Sequence, residues 1–214
     1  LAMGHNVQAT SMQMARAYCI FANGGYSVQP TIIRKIVRKN SDGTKEILVD
    51  NDILKTKPQR VLDESIVKEV VRAMKFVTKK GGAAHVADIL GYTEAGKTGT
   101  TMKVVNGSYT DKRHFSSFVG FAPVSKPRFV LFVGIDEPKV GFIPGVGFSN
   151  RGSTCAAPVF REIGTRTLEY LGVTPDDPFG YPKGDPRSNI EKSDWHKEIE
   201  ELFALYKQWN AKKE

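Results

Sequence analysis

The sequence predicts a mixed α/β fold of the α+β kind. Helical periodicities bounded by caps open and close the chain. Three consecutive strand candidates lie between the second and third helices. Hydrophobic residues make up 40% and charged residues 25% of the 214 positions, an ordinary globular balance that supports a core.

Thr10-Ser11-Met12-Gln13 reads as a capping box, after which Met14, Ala17, Tyr18 and Phe21 repeat at helical spacing until Gly24-Gly25 stops the helix. Residues 31–37 and 46–49 flank Ser41-Asp42-Gly43 and predict a hairpin. A second helix starts at Asp63, with Ile66, Val67, Val70, Val71, Met74 and Val77 on one face. Lys79 and Lys80 suit its negative end, and Gly81-Gly82 closes it. Strand candidates follow at about 94–105, 115–121 and 128–135. Pro123 and Lys126-Pro127 separate the last two, which therefore read as an antiparallel pair. A third helix spans about 158–171, with proline in its first turn and Gly172 as its stop. Pro175, Pro178, Pro182 and Pro186 mark a linker. In a final helix from about Ser193, the residues Trp195, Ile199, Leu202, Tyr206 and Trp209 step by four, three, four and three, a narrow seam for one groove. That groove belongs either to the same domain or to a partner.

Composition narrows the function. The net charge is +8, and because the tail is balanced in sign the excess lies in the body of the chain. A basic body suits an anionic ligand, or simply keeps the surface solvated. The Arg34, Lys35, Arg38, Lys39 cluster has no nucleic-acid-reading motif around it, so no nucleic-acid partner is expected. Cys19 and Cys155 form neither a disulfide framework nor a zinc set, and His5, His85, His114 and His196 show no ligand spacing. No metal and no cofactor is expected. The longest apolar runs, around 129–133, are too short to span a bilayer.

The segment Gly91-Tyr92-Thr93-Glu94-Ala95-Gly96-Lys97-Thr98 fits two chemistries. It satisfies the phosphate-loop pattern, with Asp136 at the end of a candidate partner strand. A phosphate loop, however, needs a helix after its lysine, whereas Thr98-Gly99-Thr100-Thr101-Met102-Lys103-Val104-Val105 favours a strand. The second chemistry takes Lys97-Thr98-Gly99 as the K-T-G strand of serine acyl-transferases. There Lys97 draws in a carboxylate and helps move protons. Gly99 lets a substrate backbone lie against the strand edge. Thr98 and Thr100 offer hydroxyl donors, and the Thr100 N–H supplies half of an oxyanion hole.

The surroundings favour the second chemistry. Gly96-Lys97-Thr98-Gly99-Thr100, Val104-Val105-Asn106-Gly107-Ser108-Tyr109 and Phe118-Val119-Gly120-Phe121-Ala122-Pro123 resemble the class B penicillin-binding proteins. So do Pro127-Arg128-Phe129-Val130, Ile135-Asp136-Glu137-Pro138 and Ala157-Pro158-Val159-Phe160-Arg161-Glu162-Ile163. Gly4-His5 and the 10–18 helix look like that family's helix ahead of the site. The resemblance runs from about Gly4 to Pro175 and is strongest to the septal, cell-division type.

It implies a β-lactamase/transpeptidase-like fold, with an antiparallel sheet flanked by helices, of which this is the C-terminal portion. It implies residues 1–175 as part of a penicillin-binding transpeptidase domain; the proline pattern then gives 176–192 as linker and 193–214 as a helical extension. The implied activity is serine-type D,D-transpeptidation of peptidoglycan stem peptides, with acylation by β-lactams. Implied partners are cell-division membrane proteins, and the implied location is the periplasmic face, anchored to the inner membrane through an N-terminal part absent here. By matching position, Lys97 meets a second-motif serine, and Thr98 and Thr100 bind the substrate carboxylate. A β-lactamase or a penicillin-sensing domain shares K-T-G and stays an alternative.

The family also needs S-x-x-K and S-x-N before K-T-G. No S-x-N occurs, and Ser65-Ile66-Val67-Lys68, the one S-x-x-K, stands too close to Lys97 and reads as a helix start. The segment alone is therefore expected to be inactive, with Leu1 following a removed or separately made N-terminal half. Ser149-Asn150-Arg151-Gly152-Ser153 departs from a more glycine-rich family stretch. Cys155, before the third helix, reads as a small buried hydrophobe or as a thiol made acidic by the helix end. His114 reads as a surface or core histidine near the site mouth. Tyr109 and Asp111 are expected in a loop between the first two strands, bordering the cleft.

Overall fold

The computed structural model describes residues 7–51, 58–144 and 147–211. They fall into two compact units, Leu1–Lys68 and Glu69–Glu214. Leu1, Gly4 and His5 lie outside the described residues.

In the first unit, α1 (Ser11–Ala22) begins with the expected capping box: the Thr10 N–H donates to Gln13 Oε1 at 2.8 Å and the Gln13 N–H to Thr10 Oγ1 at 3.2 Å. Met14, Tyr18 and Phe21 are half-buried, whereas Ala17 is exposed. Gly25 ends the helix at φ +104°, and a side chain there would collide with the Leu62 carbonyl. The hairpin is β1 (Lys35–Lys39) with β2 (Lys45–Asp50). Its first strand starts later than expected, because Thr31 Oγ1 turns the chain locally by accepting from the Ile33 N–H at 3.1 Å. Asp42 closes the turn by accepting from the Thr44 N–H and hydroxyl.

Helix α2 (Glu64–Thr78) buries Val67, Met74, Lys75 and Thr78. Ile66, expected on the buried face, is 49% exposed, because the buried stripe passes through Val67 instead. Lys79 stands at the end of the helix as expected, but it is only 5% exposed, with its ammonium 2.5 Å from Asp88 Oδ1 and 3.1 Å from Glu94 Oε1. It also donates to the Tyr92 carbonyl at 3.3 Å. Burial alone pulls the Lys79 pKa down, but the charges of Glu94 and Asp88 outweigh it and the net shift is upward. Full burial of Glu94 raises its carboxyl above the ordinary range against the pull of Lys79. Both groups shift upward, and Asp88, 2.5 Å from the ammonium, keeps Lys79 charged.

The sheet is antiparallel in the order β3 (Ala95–Val105), β4 (Ser108–Ala122), β5 (Phe129–Asp136). Asn106 and Gly107, at φ +51° and +80°, make a two-residue turn whose twist matches the flanking strands. Tyr109 and Asp111 therefore lie on β4 and not in a loop. The polar run 108–114 hid a strand that Asn-Gly announces. A bulge between Met102 and Lys103 interrupts the register.

Beyond the sheet come β6 (Phe142–Ile143) and β7 (Gly147–Phe148), α3 (Gly152–Cys155) and α4 (Ala157–Tyr170). Helix α4 lays Ala157, Phe160 and Leu168 into a core with Ile89, Phe118 and Val133. The Phe160 ring stands 4.8 Å from that of Phe118 and 6.0 Å from that of Phe129, centroid to centroid. Gly164 admits Ile89, whose Cδ1 would be 2.6 Å from any Cβ there.

The proline-rich stretch after α4 is tied down. Asp176 accepts from the Thr93 N–H at 2.8 Å, the Thr93 hydroxyl at 2.5 Å and the Ser125 hydroxyl at 2.7 Å. The Asp177 N–H donates to the Gly91 carbonyl. Helix α5 (Asp194–Ala211) then docks on its own unit. Lys75 pairs with Asp194 at 2.5 Å and with Glu198, and Arg72 pairs with Glu201 at 2.7 Å. Trp195 meets Phe76 edge-on at 5.2 Å. Of the expected seam, Trp195 and Ile199 are half-buried, while the side chains of Leu202, Tyr206 and Trp209 lie outside the described residues.

Two stability measurements follow. Phe160→Ala should cost about 3–5 kcal/mol in denaturant unfolding. Lys79→Met should cost about 3–5 kcal/mol by leaving Glu94 buried beside no cation, and a second change, Glu94→Leu, should recover much of that loss.

Candidate active site

Strand β3 holds Lys97, Thr98, Gly99 and Thr100 consecutively, opposite Val119, Phe118, Ser117 and Ser116 of β4. Among the described residues its other margin pairs with no strand, so the four residues lie along an open sheet edge. Directly opposed residues of an antiparallel pair share a face. Lys97 and Gly99 therefore share the face of Val119 and Ser117, and Thr98 and Thr100 share the face of Phe118 and Ser116.

Each residue has a local reason for its place. Gly96 lies against the Phe118 ring and the Val119 carbonyl, which leaves no room for a Cβ. Lys97 is exposed, and its ammonium donates to the Thr98 carbonyl at 3.1 Å. A Cβ on Gly99 would come 2.6 Å from Ser117 Oγ. Thr100 Oγ1 accepts from the Gly152 N–H at 3.0 Å, which fixes its side chain and leaves its O–H free to donate.

The strand is held at both ends. Glu94, immediately ahead of β3, is fully buried against Lys79, and its Oε2 accepts from the Ile89 N–H at 3.3 Å. Past Thr100, the segment 149–152 is fastened to the sheet. The Ser116 hydroxyl donates to the Asn150 carbonyl, and the Asn150 amide lies 3.2 Å from Nδ1 of His114. A side chain on Gly152 would strike the carbonyls of Ser117 and Gly99. The sequence carried little sign of these supports. Glu94 read as a variable position of a loop pattern, and Asn150-Arg151-Gly152 as a mere departure from a glycine-rich stretch.

Lys97 stands within a strand and no helix follows it, so the phosphate-loop alternative is excluded. Asp136 is engaged by Lys103 at 2.9 Å. The Lys103 pKa is raised by hydrogen bonds to Glu137 and Asp136. Burial raises the Cys155 thiol pKa, and the thiol donates to the Arg151 carbonyl at 3.1 Å, so it is not activated. Ser65 lies in the exposed first turn of α2, where Lys68 pairs with Glu64 at 2.8 Å. Among the described residues no group of three His, Cys, Asp or Glu side chains is arranged to hold a metal ion, and no helix is long and apolar enough to cross a membrane.

The family model for the penicillin-binding protein transpeptidase domain matches residues 1–165. The chain is 32% identical over 179 residues to a probable peptidoglycan D,D-transpeptidase PenA of Neisseria flavescens, covering 83% of this chain and 38% of the relative. It is 36% identical over 178 residues to the peptidoglycan D,D-transpeptidase FtsI of Buchnera aphidicola, covering 82% of this chain and 27% of that protein. Penicillin-binding protein 3 of Mycobacterium tuberculosis, solved with ampicillin, superposes with a TM-score of 0.67 at 25% identity, over 88% of this chain and 40% of that one. The chain thus spans well under half the length of these proteins. An open-edged K-T-G-T strand, a sheet backed by α4 and a family match over most of the sequence agree: the chain belongs to the penicillin-binding protein transpeptidase domain family.

Proposed function

We propose that this chain is the C-terminal, K-T-G-bearing part of a serine-type peptidoglycan D,D-transpeptidase that also reacts with penicillins. The observation that carries the reading is an exposed lysine between two glycines on an open sheet edge, followed by two threonine hydroxyls. The names of the PenA and FtsI relatives and the ampicillin complex of the M. tuberculosis protein support it.

In this reading a stem peptide lies along β3, with Gly99 giving its backbone room. The Thr98 and Thr100 hydroxyls hold its terminal carboxylate. A serine oxygen attacks the penultimate D-alanine carbonyl, and the Thr100 N–H takes half the charge on the carbonyl oxygen. The C–N bond to the terminal D-alanine breaks and its nitrogen receives a proton. Lys97, beside the second-motif serine, serves that proton movement. The amine of a neighbouring peptide then attacks the ester, forming the cross-link and returning a proton to the serine. A β-lactam enters by the same attack, its ring C–N bond breaking in place of the peptide bond.

Ser65-Ile66-Val67-Lys68 is the one S-x-x-K among these 214 residues, and they hold no S-x-N. The nucleophile and its second-motif serine therefore come from residues other than these. We place the whole protein at the periplasmic face of the inner membrane, working with cell-division membrane proteins.

The 214-residue chain alone, incubated with a fluorescent penicillin, should form no covalent adduct on a denaturing gel. A stoichiometric adduct would contradict the assignment of the nucleophile elsewhere. In the full-length protein, Lys97→Ala should slow acylation by about 100-fold or more, measured by stopped-flow fluorescence. Gly99→Ala should slow it too, since the added Cβ displaces Ser117 or narrows the peptide's path.

A further inference from the structure

Resting on the reading above, we propose that Arg151 is a further substrate-binding residue, the cation that receives the carboxylate presented to the Thr98 and Thr100 hydroxyls. Thr98 and Thr100 lie on the face of β3 shared with Phe118 and Ser116, whereas Lys97 lies on the other. The segment 150–152 is fastened to the threonine face: Asn150 to the Ser116 hydroxyl, Gly152 to Thr100 Oγ1 at 3.0 Å. Arg151 stands between those two anchors, so its backbone position relative to Thr100 is fixed to within one residue.

Its backbone is held again from the far side. The Arg151 carbonyl accepts from the Thr154 N–H at 2.9 Å, the Cys155 N–H at 3.0 Å and the Thr154 hydroxyl at 2.9 Å. The side chain is free by contrast. It is exposed, its guanidinium stacks over the Phe148 ring at 5.3 Å, and no carboxylate partner is found for it among the described residues. Stacking on an aromatic face limits the guanidinium's rotation and leaves its N–H edges open, which suits planar recognition of a carboxylate. Lys103 and Arg113 differ, for both are engaged by Glu137, at 2.8 and 3.7 Å. A backbone fastened beside Thr100, a cation with no carboxylate partner among the described residues and the two hydroxyls of the adjoining strand suit a carboxylate ligand. The ligand class is a peptide C-terminal carboxylate, or the ring carboxylate of a β-lactam.

The test compares benzylpenicillin with its methyl ester on the full-length protein and on its Arg151→Gln and Arg151→Lys variants. The readout is the acylation rate against β-lactam concentration. Arg151→Gln should lower the second-order rate with the free acid by about tenfold, through weaker binding at an unchanged limiting rate. The ester should react equally with wild type and variant, and Arg151→Lys should recover part of the loss. Equal slowing of acid and ester, or no slowing of either, overturns the role of Arg151. If the wild-type protein is acylated by neither compound, the transpeptidase reading fails first and this one with it.

Discussion

A lysine ammonium taken out of water between two carboxylates fixes where the K-T-G strand begins. Lys79 follows α2 directly and Glu94 precedes β3 directly, so their 3.1 Å contact joins the end of a helix to the start of the strand. Such a buried group tolerates little displacement, because separating the pair leaves a charge with neither water nor counterion. Asp88 adds the second carboxylate, and Thr78 donates to the Glu94 carbonyl at 3.5 Å. Three residues further on, Lys97 stands exposed on a strand whose entry is not free to shift.

The rest of the second unit extends this constraint. Tyr92 donates to the Val173 carbonyl at 2.6 Å and Asp176 takes both donors of Thr93, so the turn before Glu94 is held from the chain that follows α4. Helix α5 grips α2 through Lys75, one turn before Lys79. On the other side, α4 packs Phe160 against Phe118, which opposes Thr98, and Gly152 meets Thr100. The strand is supported along one face and at both ends and is open at its margin, as peptide recognition by strand addition requires.

Much of this was legible in the sequence, for physical reasons that differ by element. The Thr10–Gln13 box, the strand at 95–105 and the helix from Ala157 are set by local chemistry: caps, β-branched residues and a proline in the first turn. The K-T-G segment itself was readable because strand-forming threonine and valine follow the lysine, which no phosphate loop permits. Other features escaped because they depend on partners distant in the chain. Lys79 looks like any helix-end lysine until Glu94 and Asp88 fold around it. Ser108 to His114 looks like a loop until pairing with β3 makes it a strand, although Asn106-Gly107 was a local clue. The prolines around 175–186 suggested a linker, but Asp176 and Asp177 carry the hydrogen bonds that bind the stretch down.

The most direct test of this account is a crystal structure of the full-length protein acylated by benzylpenicillin. The account predicts the antibiotic lying along β3, with its carboxylate against the Thr98 and Thr100 hydroxyls and the Lys97 ammonium within about 3 Å of a serine oxygen at the acylated centre. An acyl group attached away from β3, with the Lys97 side chain directed into solvent, would contradict it.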